Sequence, residues 1–335
     1  MGVDLFFVLS GYLIGLQLLR PYSRGEAPSI PGFYFRRAFR ILPAYLTVLL
    51  LYFAIPVFRE AQGMAPAWKF LTFTENLGVD YRYQHAFSHV WSLCVEEHFY
   101  LVLPVLVLLM MRRPSMVKTT ALVMALLGAG IAIRAYLYSH NLAPVRAEDG
   151  DLFALRYIEQ IYYPTYTRLD GLHAGVALAL IKTFRRSWWD KLMAHSNFLL
   201  VSGMMTTGAA IWLFRDRFSF LAAIIGFPLL SLGLAMVVAS ATTSNGLIGK
   251  IRGFGWIAAL AYSLYLTHKE IVHLDYEYLS YTRQGGWSAS ATYFVTSFAV
   301  AALLYLCVER PFLRMRERIS GRSRRTSASA LAESA

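Results

Sequence analysis

The chain has 335 residues, of which 57% are hydrophobic and only 16% are charged. A soluble domain carries charge on about a quarter of its residues, so this composition excludes an ordinary soluble protein and predicts that apolar surface faces lipid. The net charge is +12, but the basic residues lie in short clusters between apolar runs, a pattern typical of membrane topology signals. We therefore expect membrane lipid, and no nucleic acid, among the partners.

Nine apolar runs are candidate membrane spans, since a span needs about 20 mostly apolar residues. They predict an all-α fold, a polytopic transmembrane helix bundle that forms one domain over residues 1–311. The runs are Val3–Leu19, Ile41–Phe58, Ser92–Met111, Thr119–Tyr138, Tyr166–Ile181, Phe198–Phe214, Phe220–Ser240, Phe254–Val272 and Ala289–Val308.

The loops between these runs alternate in basic content, and the basic-rich loops are expected in the cytoplasm. This rule places Met1 outside and the C-terminus inside. Residues 312–335 are basic and rich in Ser, Arg and Ala, which predicts a disordered cytoplasmic tail. Because no residues anchor the outer end of the first run, we also expect that a preceding helix is missing from this sequence.

The two cysteines offer no special chemistry. Cys94 and Cys307 fall in predicted spans near opposite membrane faces, so we expect no disulfide between them. Their sequence context has no metal-ligand spacing, and no metal site is predicted.

Ionisable or polar side chains inside apolar runs are functional candidates, because they are expensive in a membrane. In Gly2–Ile14, Asp4 lies at the membrane entry and Ser10 lies mid-run beside Gly11. Asp4 could simply cap a helix, and the small residues could allow close helix contact. Taken alone, this stretch favours the structural interpretation.

The stretch Phe33–Tyr45 contains Arg37 and Arg40, which share a helix face because they are three residues apart. Guanidinium groups bind phosphate through two parallel hydrogen bonds. An ordinary cytoplasmic cluster of positive charge explains the arginines about equally well.

The stretch His89–Pro104 is the strongest signal in the sequence. His89, Ser92 and Glu96 step by three or four residues and therefore line one helix face. A carboxylate at the position of Glu96 could orient a histidine or hold an acceptor hydroxyl. A solvated helix end explains Glu97 well and Glu96 less well.

Two further stretches have polar residues near the ends of predicted spans. Tyr265 and His268 are three residues apart in Ala261–Glu270, and a lone histidine there is more often an interfacial anchor than a catalyst. Arg168 and Asp170 are interpreted as an ion pair at the outer membrane edge, which contributes little by itself.

Taken together and in this order, these stretches resemble the acyltransferase 3 family. The matching pieces are Gly2–Ile14, Arg37-x-x-Arg40-Ile-x-Pro43-x-Tyr45, Trp91-Ser-Leu-x-Val-Glu-Glu97, Arg168-x-Asp170-Gly171, Tyr262-Ser-Leu-Tyr-Leu-x-His268 and Glu309-Arg-Pro311. The resemblance extends from Gly2 to about Pro311.

This resemblance implies a ten-span protein of the bacterial inner membrane. Members of the family pass an acyl group, usually acetyl, from cytoplasmic acyl-CoA to a hydroxyl of a cell-surface glycan or lipid-linked sugar. Acyl-CoA is then a co-substrate and partner, and no bound cofactor is expected. In the family the first helix carries an arginine and the histidine expected to act as base. No counterpart precedes Gly2, so a chain limited to this sequence is expected to lack the base.

The resemblance and the spacing assign roles to these residues. For acyl-CoA we expect Arg37, Arg40 and Tyr45, and for orienting the base or the acceptor we expect Glu96, Glu97, His89 and His268. The residues expected to bind substrate or support the site are Asp4, Ser10, Trp91, Ser92, Arg168, Asp170, Tyr265 and Glu309.

A non-enzymatic permease or flippase of a lipid-linked sugar is the alternative function. It explains buried polar residues equally well. It does not require an arginine pair at the inner face together with Glu96 near the outer face. Binding or hydrolysis of acetyl-CoA discriminates between the two functions, because a transporter should show neither.

Overall fold

A computed structural model describes residues 2–146, 148–243, 247 and 255–320, and all regular secondary structure in these residues is helical. The all-α prediction is therefore confirmed for the described part of the chain. The helices are α1 (Gly2–Ser23), α2 (Ile30–Ala54), α3 (Ala67–Leu71), α4 (Trp91–Arg112), α5 (Met116–Leu137), α6 (Gly150–Tyr157), α7 (Asp170–Phe184), α8 (Arg186–Ala194), α9 (Ser196–Leu213), α10 (Phe227–Ala241), α11 (Gly255–Tyr278) and α12 (Gly286–Leu304).

Seven helical segments in the described residues are long and apolar enough to cross a membrane. They are Gly2–Ser23, Ile30–Ala54, Ser88–Arg112, Met116–Val145, Ser196–Asp216, Ala222–Ala241 and Gly286–Ser320. Each coincides with a predicted apolar run, so a multi-pass membrane protein is supported.

The predicted count of nine spans is not confirmed, because two runs fall on helices that do not meet these criteria. Helix α7 has 15 residues and is about 22 Å long at 1.5 Å per residue, whereas the hydrocarbon core is about 30 Å thick. Helix α11 is longer, but His268, Lys269 and Glu270 lie within it and lower its apolar character.

The described helices form two compact units. The first unit comprises Met1–Pro28 and Gly63–Arg252 and contains α1 and α3–α10. The second unit comprises Ser29–Gln62 and Gly253–Ala335 and contains α2, α11 and α12. These units group residues by their internal contacts, and the single domain over residues 1–311 stays a prediction.

Close packing of α1 against α7 defines the core of the first unit. A Cβ atom on Gly11 would lie 2.1 Å from the Leu172 carbonyl oxygen, and one on Gly175 would lie 2.2 Å from the Val8 carbonyl oxygen. Only glycine allows the two backbones to approach this closely. The expectation that small residues in Gly2–Ile14 permit close helix contact is confirmed at Gly11.

Helix α5 has the opposite character, because its apolar side chains are half-buried or exposed. Its buried residues are Thr119 and Arg134, as expected for a helix that turns much of its apolar surface to lipid. The buried arginine on such a helix marks a point where α5 makes a polar contact with the interior of the first unit.

The second unit is built around α2, which begins at a well-formed cap. The Ser29 side chain accepts a hydrogen bond from the Gly32 backbone N–H at 3.1 Å, which satisfies a donor at the helix start. The Tyr262 hydroxyl of α11 donates to the Ile41 carbonyl at 2.9 Å and joins the two helices. The helix after α12 continues to Ser320, so residues 312–320 of the expected disordered tail are helical. The remaining predicted tail lies outside the described residues.

Candidate functional site

The first turns of α4 carry buried polar side chains, as the sequence predicts. His89, Ser92 and Glu96 are all buried, with Glu96 only 3% exposed, whereas Glu97 is half-buried. The two glutamates differ in burial because adjacent helix residues point about 100° apart. The Tyr100 hydroxyl, one turn further along, is hydrogen-bonded to the Ser10 hydroxyl of α1. Ser10 therefore supports the position of α4.

A loop after α3 adds two buried polar residues that the sequence analysis missed, Glu75 and Asn76. The Asn76 side-chain amide donates to the Tyr163 carbonyl at 3.1 Å and to the Thr165 hydroxyl at 2.8 Å. The same hydroxyl lies 2.7 Å from Nδ1 of His98 on α4. These hydrogen bonds join the loop after α3, the segment before α7 and His98 of α4.

Arg168 forms an ion pair that differs from the predicted one. Its Nη2 donates to Oδ1 of Asp4 at 2.6 Å, and the residue is 2% exposed. The expected pairing of Arg168 with Asp170 is wrong, because residues two apart in sequence do not face each other at a helix start. Asp4 therefore joins α1 to the segment before α7 instead of only capping its own helix.

Aromatic rings surround the guanidinium of Arg168. Its Cζ lies 4.0 Å from the ring centre of Phe227, 4.7 Å from that of Tyr162 and 5.3 Å from that of Trp91. Such contacts stabilise a cation through the ring quadrupole. Trp91, at the start of α4, is thus a packing partner of the Asp4–Arg168 pair.

Asp170 pairs instead with Arg134 of α5. The two guanidinium nitrogens donate to the two carboxylate oxygens at 2.7 and 3.0 Å, and Nη1 also donates to the Thr167 carbonyl at 2.6 Å. Arg134 is fully buried at 0% exposure. The sequence analysis missed it, although a lone arginine inside the apolar run Thr119–Tyr138 was a usable signal.

A cavity of about 420 Å³ lies beside the Asp4–Arg168 pair in the first unit. We call it the tyrosine cavity; its polar lining consists of Tyr81, Tyr157, Tyr162, Tyr163, Asp4 and Arg217. Burial raises the pKa of Tyr157 to about 12 and raises that of Tyr163 as well. Both phenols are therefore neutral at physiological pH and can donate hydrogen bonds.

In the second unit, Arg40 of α2 forms an ion pair with Glu309. The Ser263 hydroxyl of α11 donates to the other carboxylate oxygen at 2.9 Å. Glu309 is 1% exposed, whereas the Arg40 side chain is 31% exposed. One side of the guanidinium thus holds Glu309, and the exposed side can reach a ligand. Tyr45, expected to contact acyl-CoA, is fully buried.

The His268 ring is held by its own helix. Nδ1 lies 2.9 Å from the Tyr265 carbonyl and 3.2 Å from the Leu264 carbonyl. Because a carbonyl only accepts hydrogen bonds, Nδ1 carries the proton and Nε2 is the basic nitrogen. The expected pair of Tyr265 and His268 is in contact at a ring-centre distance of 6.3 Å.

A second polar group of the same unit was not identified from the sequence. The Tyr52 hydroxyl lies 2.7 Å from a Glu60 oxygen and is also hydrogen-bonded to the fully buried Glu270. Lys269 lies 3.9 Å from Glu60. Glu270 lies in the same sequence stretch as His268. Its contacts, Tyr52 on α2 and Glu60 in the loop after α2, are distant in sequence, so spacing could not reveal them.

The helices and buried ion pairs described above define a multi-pass membrane protein with ionisable groups held inside its helical units. Residues 1–306 match the acyltransferase 3 family over its acyltransferase domain. This match covers most of the chain, and the chain belongs to that family. The resemblance stated from the motifs is confirmed.

Two curated relatives are similar to nearly the whole chain. The peptidoglycan O-acetyltransferase OatA of Listeria monocytogenes is 26% identical over 92% of this chain and 50% of the relative. The O-acetyltransferase OatA of Staphylococcus aureus is 27% identical over 81% of this chain and 46% of the relative. This chain therefore spans about half the length of these relatives. No solved structure matches the chain.

Proposed function

We propose that this chain is the acyl-transfer part of a membrane O-acetyltransferase that acts on a cell-surface glycan. The observation that carries the proposal is the family match over residues 1–306, which includes the motifs at Asp4, Glu96 and Arg168. The same match favours acyl transfer over the alternative of a permease or flippase. The acceptor that we propose is peptidoglycan, because the relative from Listeria monocytogenes is a peptidoglycan O-acetyltransferase.

The proposed donor is cytoplasmic acetyl-CoA. The exposed side of Arg40 and its neighbour Arg37 are suited to CoA phosphates, because guanidinium groups bind phosphate oxygens with charge-assisted hydrogen bonds. In the reaction, the acceptor hydroxyl attacks the thioester carbonyl, a new ester forms and CoA leaves as the thiol. A base removes the hydroxyl proton, and Glu96 or His89 orients that base or the hydroxyl.

The proposed location is the bacterial inner membrane, with several spans and a cytoplasmic C-terminus. This orientation places Arg37 and Arg40 at the cytoplasmic face and the start of α4 near the opposite face. Donor and acceptor would then meet from opposite sides of the membrane.

The test reconstitutes the protein as its gene encodes it, including any helix encoded before Met1, in lipid vesicles with radiolabelled acetyl-CoA on one side and peptidoglycan glycan strands on the other. We expect labelled ester on the glycan that mild alkali releases. Absence of both acetyl-CoA binding and glycan labelling, in vesicles whose protein is folded, would overturn the proposal. Labelling of the glycan without any acetyl-CoA requirement would overturn the donor assignment alone.

A further inference from the structure

We propose that the tyrosine cavity binds an acidic or phosphorylated sugar unit of the acceptor and that Arg217 anchors its negative charge. This inference rests on the proposed function, since it names a subsite for the acceptor of that reaction. All of its residues belong to the first unit. The volume of about 420 Å³ is within the range of small-molecule sites, which hold about 300–1,000 Å³.

The lining of the cavity suits a sugar. A pyranose presents apolar C–H faces and a rim of hydroxyl groups, and a tyrosine offers an apolar ring with one polar end. Tyr157, Tyr162 and Tyr163 supply both kinds of surface here, beside the apolar rings of Phe214 and Phe227. The phenol groups distinguish this lining from one made of aliphatic side chains alone.

The aromatic wall is already in place before any ligand binds. Tyr163 stacks on Trp91 with ring centres 5.3 Å apart and an interplanar angle of 11°. Tyr81 meets Tyr163 edge-on at 5.4 Å, and the Tyr81 backbone N–H donates to Glu159 at 2.8 Å. A wall fixed in this way loses little conformational freedom when a ligand binds.

The charges of the residues that line the cavity favour a sugar that carries a negative charge. The carboxylate of Asp4 is neutralised by Arg168 at 2.6 Å. Arg217 is exposed, lies over the Phe218 ring at 4.7 Å and forms no ion pair or hydrogen bond with any described residue. Its neighbour Asp216 lies 3.9 Å from Arg146. Among the described residues that line the cavity, Arg217 is therefore a cation without an ion-pair partner.

A second donor lies behind the cavity wall. Nη1 of Arg168 is buried and has no hydrogen-bond partner among the described residues. Buried donors almost always form a hydrogen bond in proteins, so we expect this atom to donate to an acceptor oxygen. Asp4, Tyr162 and Phe227 contact Arg168 and also line the cavity, whereas Arg168 itself lies behind them and does not line it.

The anionic group can belong to a carboxylate on an acidic glycan or to the phosphate of a lipid-linked sugar. Arginine binds both through the same charge-assisted geometry. Three matched probes separate the sources: glucuronic acid, glucose 1-phosphate and neutral glucose.

The experiment measures binding of each probe to the purified full chain in detergent by saturation-transfer NMR, without acetyl-CoA. We expect an anionic probe to bind more tightly than glucose. Arg217→Ala should weaken the anionic probe about tenfold, because a hydrogen bond to a charged group contributes at least this much. It should leave glucose unchanged. The control is Arg215→Ala, since Arg215 is exposed and does not line the cavity.

A second variant, Ala154→Trp, fills the cavity from α6 and should abolish binding of every probe. Preference for glucuronic acid identifies an acidic glycan, and preference for glucose 1-phosphate identifies a sugar phosphate. Equal binding of glucose, no binding of any probe, or equal losses in Arg217→Ala and Arg215→Ala would overturn the inference. Because no acetyl transfer is measured, such a failure leaves the test of the proposed function untouched.

Discussion

At the scale of single residues, the two neighbouring glutamates of α4 have different surroundings. Glu96 is 3% exposed and shares its helix face with Ser92, whereas Glu97 is half-buried. We expect Glu96→Gln to lower acetyl transfer by at least about 100-fold, since acid–base groups contribute about 10²–10⁴-fold. Glu97→Gln should only weaken transfer. The measurement is ester formation in membranes with matched protein levels, and equal losses would contradict the assignment.

Arg40 has two separable roles that a double variant can distinguish. Arg40→Ala leaves the buried Glu309 without its counter-ion, which costs about 3 kcal/mol of folding stability. The same change should lower acyl-CoA affinity by about 1.5–3 kcal/mol if Arg40 also holds a phosphate. Adding Glu309→Gln removes the unpaired charge, so thermal stability should recover while acyl-CoA affinity stays low.

The controls for Arg40 follow from its chemistry. Arg40→Lys should restore stability largely and affinity only in part, because an ammonium group cannot bind two oxygens in the fork geometry. Arg37→Ala should lower affinity by a similar amount. Recovery of both stability and affinity in the double variant would show that Arg40 acts only through Glu309.

The sequence identified most of the ionisable residues of the site but not their partners. Asp4, Arg168 and Asp170 stood out as costly groups near apolar runs, yet Arg168 pairs with Asp4 and Asp170 pairs with Arg134. Partner choice depends on how α1, α5 and α7 pack, and spacing within one segment carries no information about that. Asn76 lies in a loop with no periodic pattern, so no local signal revealed its burial.

At the scale of helices, the contact of α1 with α7 depends on the absence of a side chain at Gly11. Gly11→Ala would place a Cβ 2.1 Å from the Leu172 carbonyl oxygen, so the helices must separate. We expect destabilisation of about 1–3 kcal/mol or more, together with disruption of the Asp4–Arg168 pair. Thermal unfolding in detergent measures the first effect.

The matched control is Gly128→Ala on α5, where an added Cβ meets nothing within 4 Å. Alanine has the higher helix propensity, so this variant should be as stable as the wild type or slightly more stable. A similar loss of stability in both variants would show that α1 and α7 do not depend on close backbone contact.

The sequence predicted a helix wherever an apolar run is long enough to cross the bilayer. It did not predict where each helix begins and ends. Helix α2 begins at Ile30, well before the predicted start at Ile41, because the polar stretch around Arg37 continues the helix without raising its apolar character. The short helices α3, α6 and α8 lie in predicted loops for the same reason. Hydropathy identifies the part of a helix that is apolar enough to face lipid. It does not identify the polar residues that extend a helix beyond that part.

At the scale of the whole molecule, the sequence could not show which spans pack together. The second unit joins residues 29–62 with segments that follow residue 253, and apolar runs of similar composition do not encode such pairings. The ion pair of Arg40 with Glu309 and the hydrogen bond of Tyr262 with Ile41 arise from that long-range packing. Charge patterning does predict orientation, and this prediction can be tested directly.

Helix α9 offers a clean test of membrane orientation, because its two flanks should lie on opposite faces. Its span Ser196–Asp216 has 21 residues, which extend about 30 Å. Lys191 and Arg215 flank this span with exposed side chains, and neither side chain forms a hydrogen bond or ion pair with another described residue. Cysteine substitutions at these two positions should therefore leave the fold intact.

The test uses Lys191→Cys and Arg215→Cys in a background where Cys94 and the exposed Cys307 are replaced by alanine and serine. In right-side-out vesicles, a membrane-impermeant maleimide should label Arg215→Cys at once and Lys191→Cys only after permeabilisation. This result follows from the positive-inside rule and puts Arg217 and the tyrosine cavity on the outer face. The reverse labelling would invert the orientation and place that cavity on the cytoplasmic side, where no cell-surface glycan could reach it. Labelling of both positions before permeabilisation would show that α9 does not cross the membrane.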